Sequence, residues 1–310
     1  MCPIKTTSAA GSGSVKKFPA LKATRSVSPW CPTYSSKIGP TSGNLGELPG
    51  SARLAASIVD QQAALYGHGC HQPGAAKVTF GTGAFVQCLT GALVRPERPG
   101  PLPTVAWQKP GEPVAYALDG GVYAAAAAVN WAQELGLFQD HSELATFPSP
   151  PAIDRGIVFV PALAGLGCPH WNRSARGAWL GLGLGDGKSD LMQALLEGVA
   201  LRTAEVLAAM QALRGFDGPI SVDGGLSRNG YFVQFLSEVA GHDLFLADEA
   251  EQTALGLAVM AAEALGLPRP DIRKGRILQA DTRHSAARLA AFAAARRAIE
   301  DFATHRPQRD

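Results

Sequence analysis

Ile220-Ser221-Val222-Asp223-Gly224-Gly225-Leu226-Ser227-Arg228-Asn229 decides the fold. Ile220 to Val222 form a short β-prone run. An acid and two glycines follow, and a helix is expected to start near residues 228–231. Strand, glycine pair and helix in that order let helix N-terminal N–H groups face an anion or a nucleotide. Asn229, one turn in, could bond a ribose or base. The plain alternative is a tight strand-to-helix turn capped by Asp223.

Two upstream segments extend this pattern. Lys77-Val78-Thr79-Phe80 is β-prone, bends at Gly81-Thr82-Gly83 and resumes as Phe85-Val86-Gln87-Cys88-Leu89-Thr90. Glycines let a backbone approach a phosphate, and Thr82 adds a hydroxyl; an ordinary hairpin turn is the alternative. Asp60-Gln61-Gln62-Ala63-Ala64 follows a short apolar approach over residues 55–59 and has helical character. Asp60 suits a general base acting on an alcohol that Gln61 orders, or equally a helix N-cap. An acid with two glycine-bearing turns suits phosphoryl transfer.

The rest of the chain alternates strands and helices. Strands are expected at residues 115–118, 156–163, 178–182 and 244–246. Helices are expected over 122–135, 189–213, 253–265 and 286–302. Residues 96–113 read as a proline-rich surface connection. The class is therefore α/β. The chain has 310 residues, 46% of them hydrophobic, enough for a sizeable core, and a net charge of +2 that argues against a nucleic-acid partner. No apolar run reaches the ~18 residues of a membrane span. Five scattered cysteines suggest free thiols and a reducing, cytoplasmic setting. His170, in Cys168-Pro169-His170-Trp171, reads as structural. Residues 1–37 are rich in Ser, Gly, Thr, Lys and Pro, without apolar periodicity, and read as a disordered or non-family leader.

These segments, with Val158-Phe159-Val160-Pro161-Ala162-Leu163-Ala164-Gly165-Leu166-Gly167, Ala175-Arg176-Gly177-Ala178 and Leu196-Glu197-Gly198-Val199-Ala200, resemble the FGGY carbohydrate kinases in order and spacing. The resemblance implies a ribonuclease-H-like, actin/hexokinase-like lobe: a mixed sheet flanked by helices. It implies ATP and Mg2+ as cofactors and glycerol or a related polyol as acceptor. Asp60 matches the catalytic base, Gln61 and Phe85 the polyol contacts, Thr82 a phosphate contact, and Gly225 and Asn229 the adenosine side. A further family glycine falls on Ala126, and Trp131 reads as packing. No metal ligand is assigned.

The same resemblance divides the chain into a leader (1–37), a remnant of the N-terminal lobe with its hinge (38–66) and the C-terminal kinase domain (67–305). It implies a first lobe ahead of Asp60, for which the 59 preceding residues leave no room. The expectations are a glycerol-kinase-like half with doubtful activity alone, another FGGY sugar kinase, or a non-catalytic remnant. A homo-oligomer or a partner chain could supply the missing lobe. No membrane or nucleic-acid partner is expected.

Overall fold

Alternating apolar residues build the centre of the molecule. In Lys77-Val78-Thr79-Phe80 and Phe85-Val86-Gln87-Cys88, the even-numbered side chains are fully or almost fully buried and face one side. The odd-numbered positions face the other side, as strand geometry requires. The computed structural model describes residues 39–305, apart from 49, 51, 249–250 and 271–273. The expected leader lies outside the described residues. From Pro40 onward the described chain forms one compact unit.

In chain order, β1 (Ser42–Leu48) and β2 (Ala52–Ala56) make an antiparallel hairpin, followed by α1 (Asp60–Gly67). Next come β3 (Ala76–Phe80), β4 (Ala84–Gly91), β5 (Leu102–Trp107), β6 (Ala115–Val122) and α2 (Ala126–Glu134). β7 (Val158–Val160) and β8 (Ala178–Leu180) pair with each other, and α3 (Lys188–Leu213) follows. The chain continues through β9 (Ile220–Gly224), α4 (Gly230–Ala240), β10 (Leu244–Ala247), α5 (Gln252–Ala264), β11 (Gly275–Leu278) and α6 (Ser285–Thr304).

Seven strands join one mixed sheet in the order β11-β10-β9-β3-β4-β6-β5. β9 runs parallel to both β3 and β10, and the other pairs are antiparallel. On one face Val78, Phe80, Val86, Leu118 and Val222 pack with residues of α2, α3, α4 and α6. On the other, Leu89, Ala106, Trp107 and Ala117 meet Leu65 and Tyr66 of α1 and Val259 and Met260 of α5. This is the mixed sheet flanked by helices expected from the sequence.

Three local readings are corrected. The connection expected over 96–113 contains β5, because β5 is the sheet edge, where Pro103 removes no essential ladder bond. Only the first two residues of the apolar approach to Asp60 belong to the β1–β2 hairpin, since β2 ends at Ala56. The helix expected over 122–135 begins only at Ala126, since Val122 still belongs to β6.

The family-like Glu197-Gly198 pair is a structural fastening. Glu197 accepts the N–H groups of Ala152 (2.8 Å) and Ile153 (2.9 Å) and the Tyr231 hydroxyl. A Cβ on Gly198 would lie 2.1 Å from the Phe159 carbonyl oxygen, so only glycine permits that crossing. Trp131 stacks on Trp179 at 5.7 Å, in agreement with its packing role. His170 lies 3.3 Å from the Glu205 carboxylate, which also binds Arg202 and Arg296. Cys70, Cys88 and Cys168 are buried and form no disulfide, whereas Cys2 and Cys31 lie outside the described residues. Among the described residues no helix is long and apolar enough to cross a membrane.

Candidate functional site

The two glycine turns leave the sheet at the same end, because β3 and β9 are parallel neighbours with Phe80 opposite Gly224. In the first turn, a Cβ on Gly83 would lie 2.6 Å from the Val122 carbonyl. The turn's own carbonyls hold the start of α2: Thr82 O accepts the N–H groups of Ala125 (2.9 Å) and Ala127 (3.1 Å), and Gly81 O accepts that of Ala126 (3.2 Å). The first orphan amides of that helix are thereby satisfied. Thr82 itself remains exposed.

In the second turn the two glycines differ. Gly224 has φ +92°, and a Cβ there would lie 2.2 Å from the Phe80 carbonyl oxygen. A Cβ on Gly225 would meet nothing within 4 Å. Gly225 borders two spaces. One, of 540 Å³, is lined by Ala126, Asn130, His141, Leu144 and Asn229 among others. The other, of 450 Å³, includes Asp223, Ser227 and Arg276. Asn229, not Asp223, caps α4: its Oδ1 accepts the Phe232 N–H (2.9 Å), and its Nδ2 donates to Leu144 O (2.7 Å). That side chain thus ties the cavity wall together, and one amide hydrogen is left for a further contact.

Asp60 is the first residue of α1, and Val59 holds the cap position. The Asp60 carboxylate is exposed and accepts the Gln61 N–H at 2.7 Å. Gln61 reaches back to the sheet, where its Oε1 accepts a hydrogen bond from Lys77 Nζ at 2.8 Å. Lys77 donates a second bond to Thr79 Oγ1 at 3.0 Å. Phe85, 41% exposed, stands opposite Thr79 in the β3–β4 register and on the same face. Asp60, Gln61 and Phe85 therefore gather on the α1 side of the strand end. Thr82 lies in the turn between β3 and β4, and Gly225 and Asn229 flank the cavity beyond β9.

α1 is seated by an unusually close helix crossing. A Cβ on Gly256 of α5 would fall 1.8 Å from Ala63 O, and one on Gly67 would fall 2.1 Å from Gln252 O. Beyond the crossing, Tyr66 donates to Glu263 (2.6 Å), and Lys109 donates to both. Burial and that carboxylate push the Tyr66 hydroxyl up to about 12.

Sequence reasoning overlooked the polar row behind Asp60. Lys77 is fully buried, and burial pulls its ammonium down to about 8 against the opposing charges of Asp223 and Asp119. His68, also buried, lies 3.4 Å from Asp223, and burial lowers its pKa. Burial works to raise Asp223, but His68, Thr79 and Lys77 outweigh it and hold the carboxyl below its ordinary range. Asp119 is raised by burial, although Gln87 donates to it at 2.9 Å. The available signal was the alternation itself: Lys77, Thr79, Gln87 and Asp119 are the polar partners of buried apolar neighbours.

Comparison with known proteins gives the family. Residues 76–265 match the FGGY family of carbohydrate kinases, C-terminal domain. The chain is 42% identical over 229 residues to a glycerol kinase of Citrifermentans bemidjiense, covering 72% of this chain and 45% of the relative. It is 37% identical over 222 residues to a glycerol kinase of Halobacterium salinarum, covering 71% and 44%. Among solved structures, the Plasmodium falciparum glycerol kinase with ADP aligns with a TM-score of 0.75 at 25% identity, over 84% of this chain and 55% of that one. A xylulose kinase from Rhodospirillum rubrum shares the fold, with a TM-score of 0.70 at 20% identity. The chain thus spans about half the length of the curated relatives it matches. With residues 76–265 matching that C-terminal domain, the chain belongs to the FGGY family of carbohydrate kinases.

Proposed function

We propose that this chain supplies the C-terminal half of a cytoplasmic, glycerol-kinase-like phosphotransferase that moves the γ-phosphoryl group of ATP to a hydroxyl of glycerol or a related polyol. The observation that carries the reading is the shared strand end. The exposed acid Asp60, through its neighbour Gln61, and the Gly81-Thr82-Gly83 turn are both tied to β3, and Gly225, next to the Gly224 that faces Phe80 at the end of β3, borders a 540 Å³ cavity. Asp60 accepts the hydroxyl proton as the oxygen attacks. Gln61 and Phe85 hold the polyol, one by hydrogen bonding and one by its apolar ring. Thr82 and the turn amides face the phosphates, and the cavity at Gly225 and Asn229 takes the adenosine end.

Magnesium belongs to the substrate here, entering as the nucleotide's complex. Such an ion uses phosphate oxygens, water and one or two carboxylates, not an all-protein cage. Among the described residues no group of three or more His, Cys, Asp or Glu side chains is placed to hold a metal ion. Phosphoryl transfer depends on positioning and on charge stabilisation by a closed cleft. With Asp60 open to solvent, the isolated chain should turn over negligibly. The test is glycerol-dependent formation of ADP from ATP, measured for the purified chain alone and mixed with a polypeptide supplying the relatives' other half. Activity that appears in the mixture and depends on glycerol supports the reading. ATP turnover indifferent to glycerol and other polyols, or none in a mixture shown to associate, overturns it.

A further inference from the structure

Lys77 is a buried charged group that the proposed chemistry does not use. Its side chain is fully buried in the middle of β3, and both hydrogen-bond partners are neutral oxygens, Gln61 Oε1 and Thr79 Oγ1. Burying an ammonium carries a desolvation penalty of several kcal/mol. A fold that needed only packing here would be better served by an apolar side chain of similar volume.

The chemistry of an ammonium is one-sided: it donates three hydrogen bonds and accepts none. The Gln61 carboxamide must therefore meet Lys77 through its oxygen. That fixes which way round the amide lies, so the Nε2 end, with two donors, faces away from the sheet. Gln61 directly follows Asp60, and its own N–H already binds the Asp60 carboxylate. A hydroxyl that is losing its proton to a carboxylate gains negative charge on oxygen. It is stabilised by an adjacent donor and destabilised by an adjacent acceptor. Without the cation the amide could rotate and present its oxygen instead.

We propose that Lys77 is a positioning residue, whose ammonium locks Gln61 with Oε1 inward and Nε2 toward the reacting hydroxyl. This rests on Asp60 and Gln61 forming the acceptor end of the site. The lock also reaches the second glycine turn. Thr79, the other partner of Lys77, stands opposite Asp223 in the β3–β9 register and helps hold that carboxyl ionised. A continuous polar line thus runs from the acid of the Asp223-Gly224-Gly225 turn through Thr79 and Lys77 to Gln61.

The test needs neither nucleotide nor polyol. The Gln61 side-chain amide signals and the Lys77 side-chain signals are followed by NMR from pH 6 to pH 10. Charged and titratable groups around Lys77 are Asp60 from α1, His68 and Cys70 beyond it, Asp119 from β6 and Asp223 from β9. Burial lowers His68 and raises Asp119, while Asp223 is held below its ordinary range. Thiols ordinarily titrate near 8.5, so a Cys70→Ser background isolates the lysine. The Gln61 amide should shift with the same midpoint as Lys77 itself, near its lowered value of about 8. Lys77→Met should abolish that pH dependence, and Lys77→Arg should move it beyond the measured range. A Gln61 amide that stays flat while Lys77 titrates overturns the proposal, and this arm needs no variant at position 77 to fold. Where glycerol phosphorylation is measurable, Lys77→Met should lower kcat/KM for glycerol about tenfold or more, chiefly through kcat, and leave ADP affinity unchanged; an unaltered kcat/KM overturns the proposal too. The NMR signature with no glycerol phosphorylation by a chain shown to associate with the relatives' other half would sink the kinase reading and leave the lock standing.

Discussion

Gly256→Ala should destabilise the protein even though it adds a better helix former. In an exposed helix interior, replacing glycine by alanine is worth about 1 kcal/mol in favour of the helix. Here the added methyl would fall 1.8 Å from Ala63 O and 2.6 Å from Gly67 N, both backbone atoms of α1. That is roughly 1.5 Å inside ordinary contact, and no side-chain rotation can relieve it. α1 and α5 must separate, which opens the packing of Leu65 and Tyr66 against Val259 and Met260. Overpacking of this kind costs about 1–3 kcal/mol and more when backbone must move, so the clash wins by about 2 kcal/mol. For a chain of this size each kcal/mol lowers Tm by about 2–4 °C. Thermal unfolding should therefore fall by about 4–8 °C. Gly225→Ala, whose methyl meets nothing, is the control and should stay within about 1 kcal/mol of wild type. Because α1 begins with Asp60 and Gln61, backbone resonances at its start should shift in Gly256→Ala and not in the control. An unchanged or raised Tm for Gly256→Ala would refute the close crossing and its role in seating Asp60.

Three further outcomes are expected. Adenine nucleotide should bind this half weakly, with a Kd nearer millimolar than micromolar, about 4 kcal/mol short of a tight site. Gly225→Val should erase that binding in a folded chain, and calorimetry showing equal ADP binding by both would remove Gly225 from the site. In any preparation that phosphorylates glycerol, Asp60→Asn should lower kcat by at least about 10²-fold and leave nucleotide affinity nearly untouched, since a base acts in the transition state; an unaffected kcat would reduce Asp60 to a helix-start residue. Burial opposes the ionisation of Glu205, but His170, Arg202 and Arg296 overcome it and hold the carboxyl at about 2 instead of 4.5. A lowered acid stabilises fully above its unfolded value and loses that contribution as pH falls through the folded value, here about 3 kcal/mol between roughly pH 4.5 and pH 2. Glu205→Gln should flatten that acid slope in denaturant titrations and lower stability at neutral pH; a slope unchanged from wild type would refute the pairing.

Legibility followed the range of the forces involved. β3, β4 and β9 were readable because each carries strict alternation and ends at glycines, both local signals. β5 was not, because Pro101 and Pro103 read as breakers until the sheet order makes β5 an edge. The β1–β2 hairpin was hidden by its composition: Gly43 and Gly46 both take positive φ, and its flanks carry few β-branched residues. At the site, Asp60, Gln61, Thr82, Phe85, Gly225 and Asn229 could be picked out as types suited to the chemistry. Lys77 could not, since a lysine in a strand ordinarily signals solvent, and only α1 lying over that face makes it a buried cation. The seating of α1 depends on Gly67 meeting Gly256 across nearly two hundred residues of chain, a contact that no window of sequence contains.

The second glycine turn sharpens the point, because Gly224 and Gly225 are the same letter with opposite duties. Gly224 is required by the sheet: φ +92° and a carbonyl 2.2 Å from its missing Cβ leave no room for any side chain. A substitution there strikes the β3–β9 junction and would mimic a binding defect by damaging the fold. Gly225 faces open space bordering both cavities, so its lack of a side chain serves whatever enters them and not the packing. The distinction sets how a functional test must be built here. Loss of ligand binding at Gly224 says nothing about the site, whereas the same loss at Gly225, with stability intact, can only come from the space that the side chain has filled.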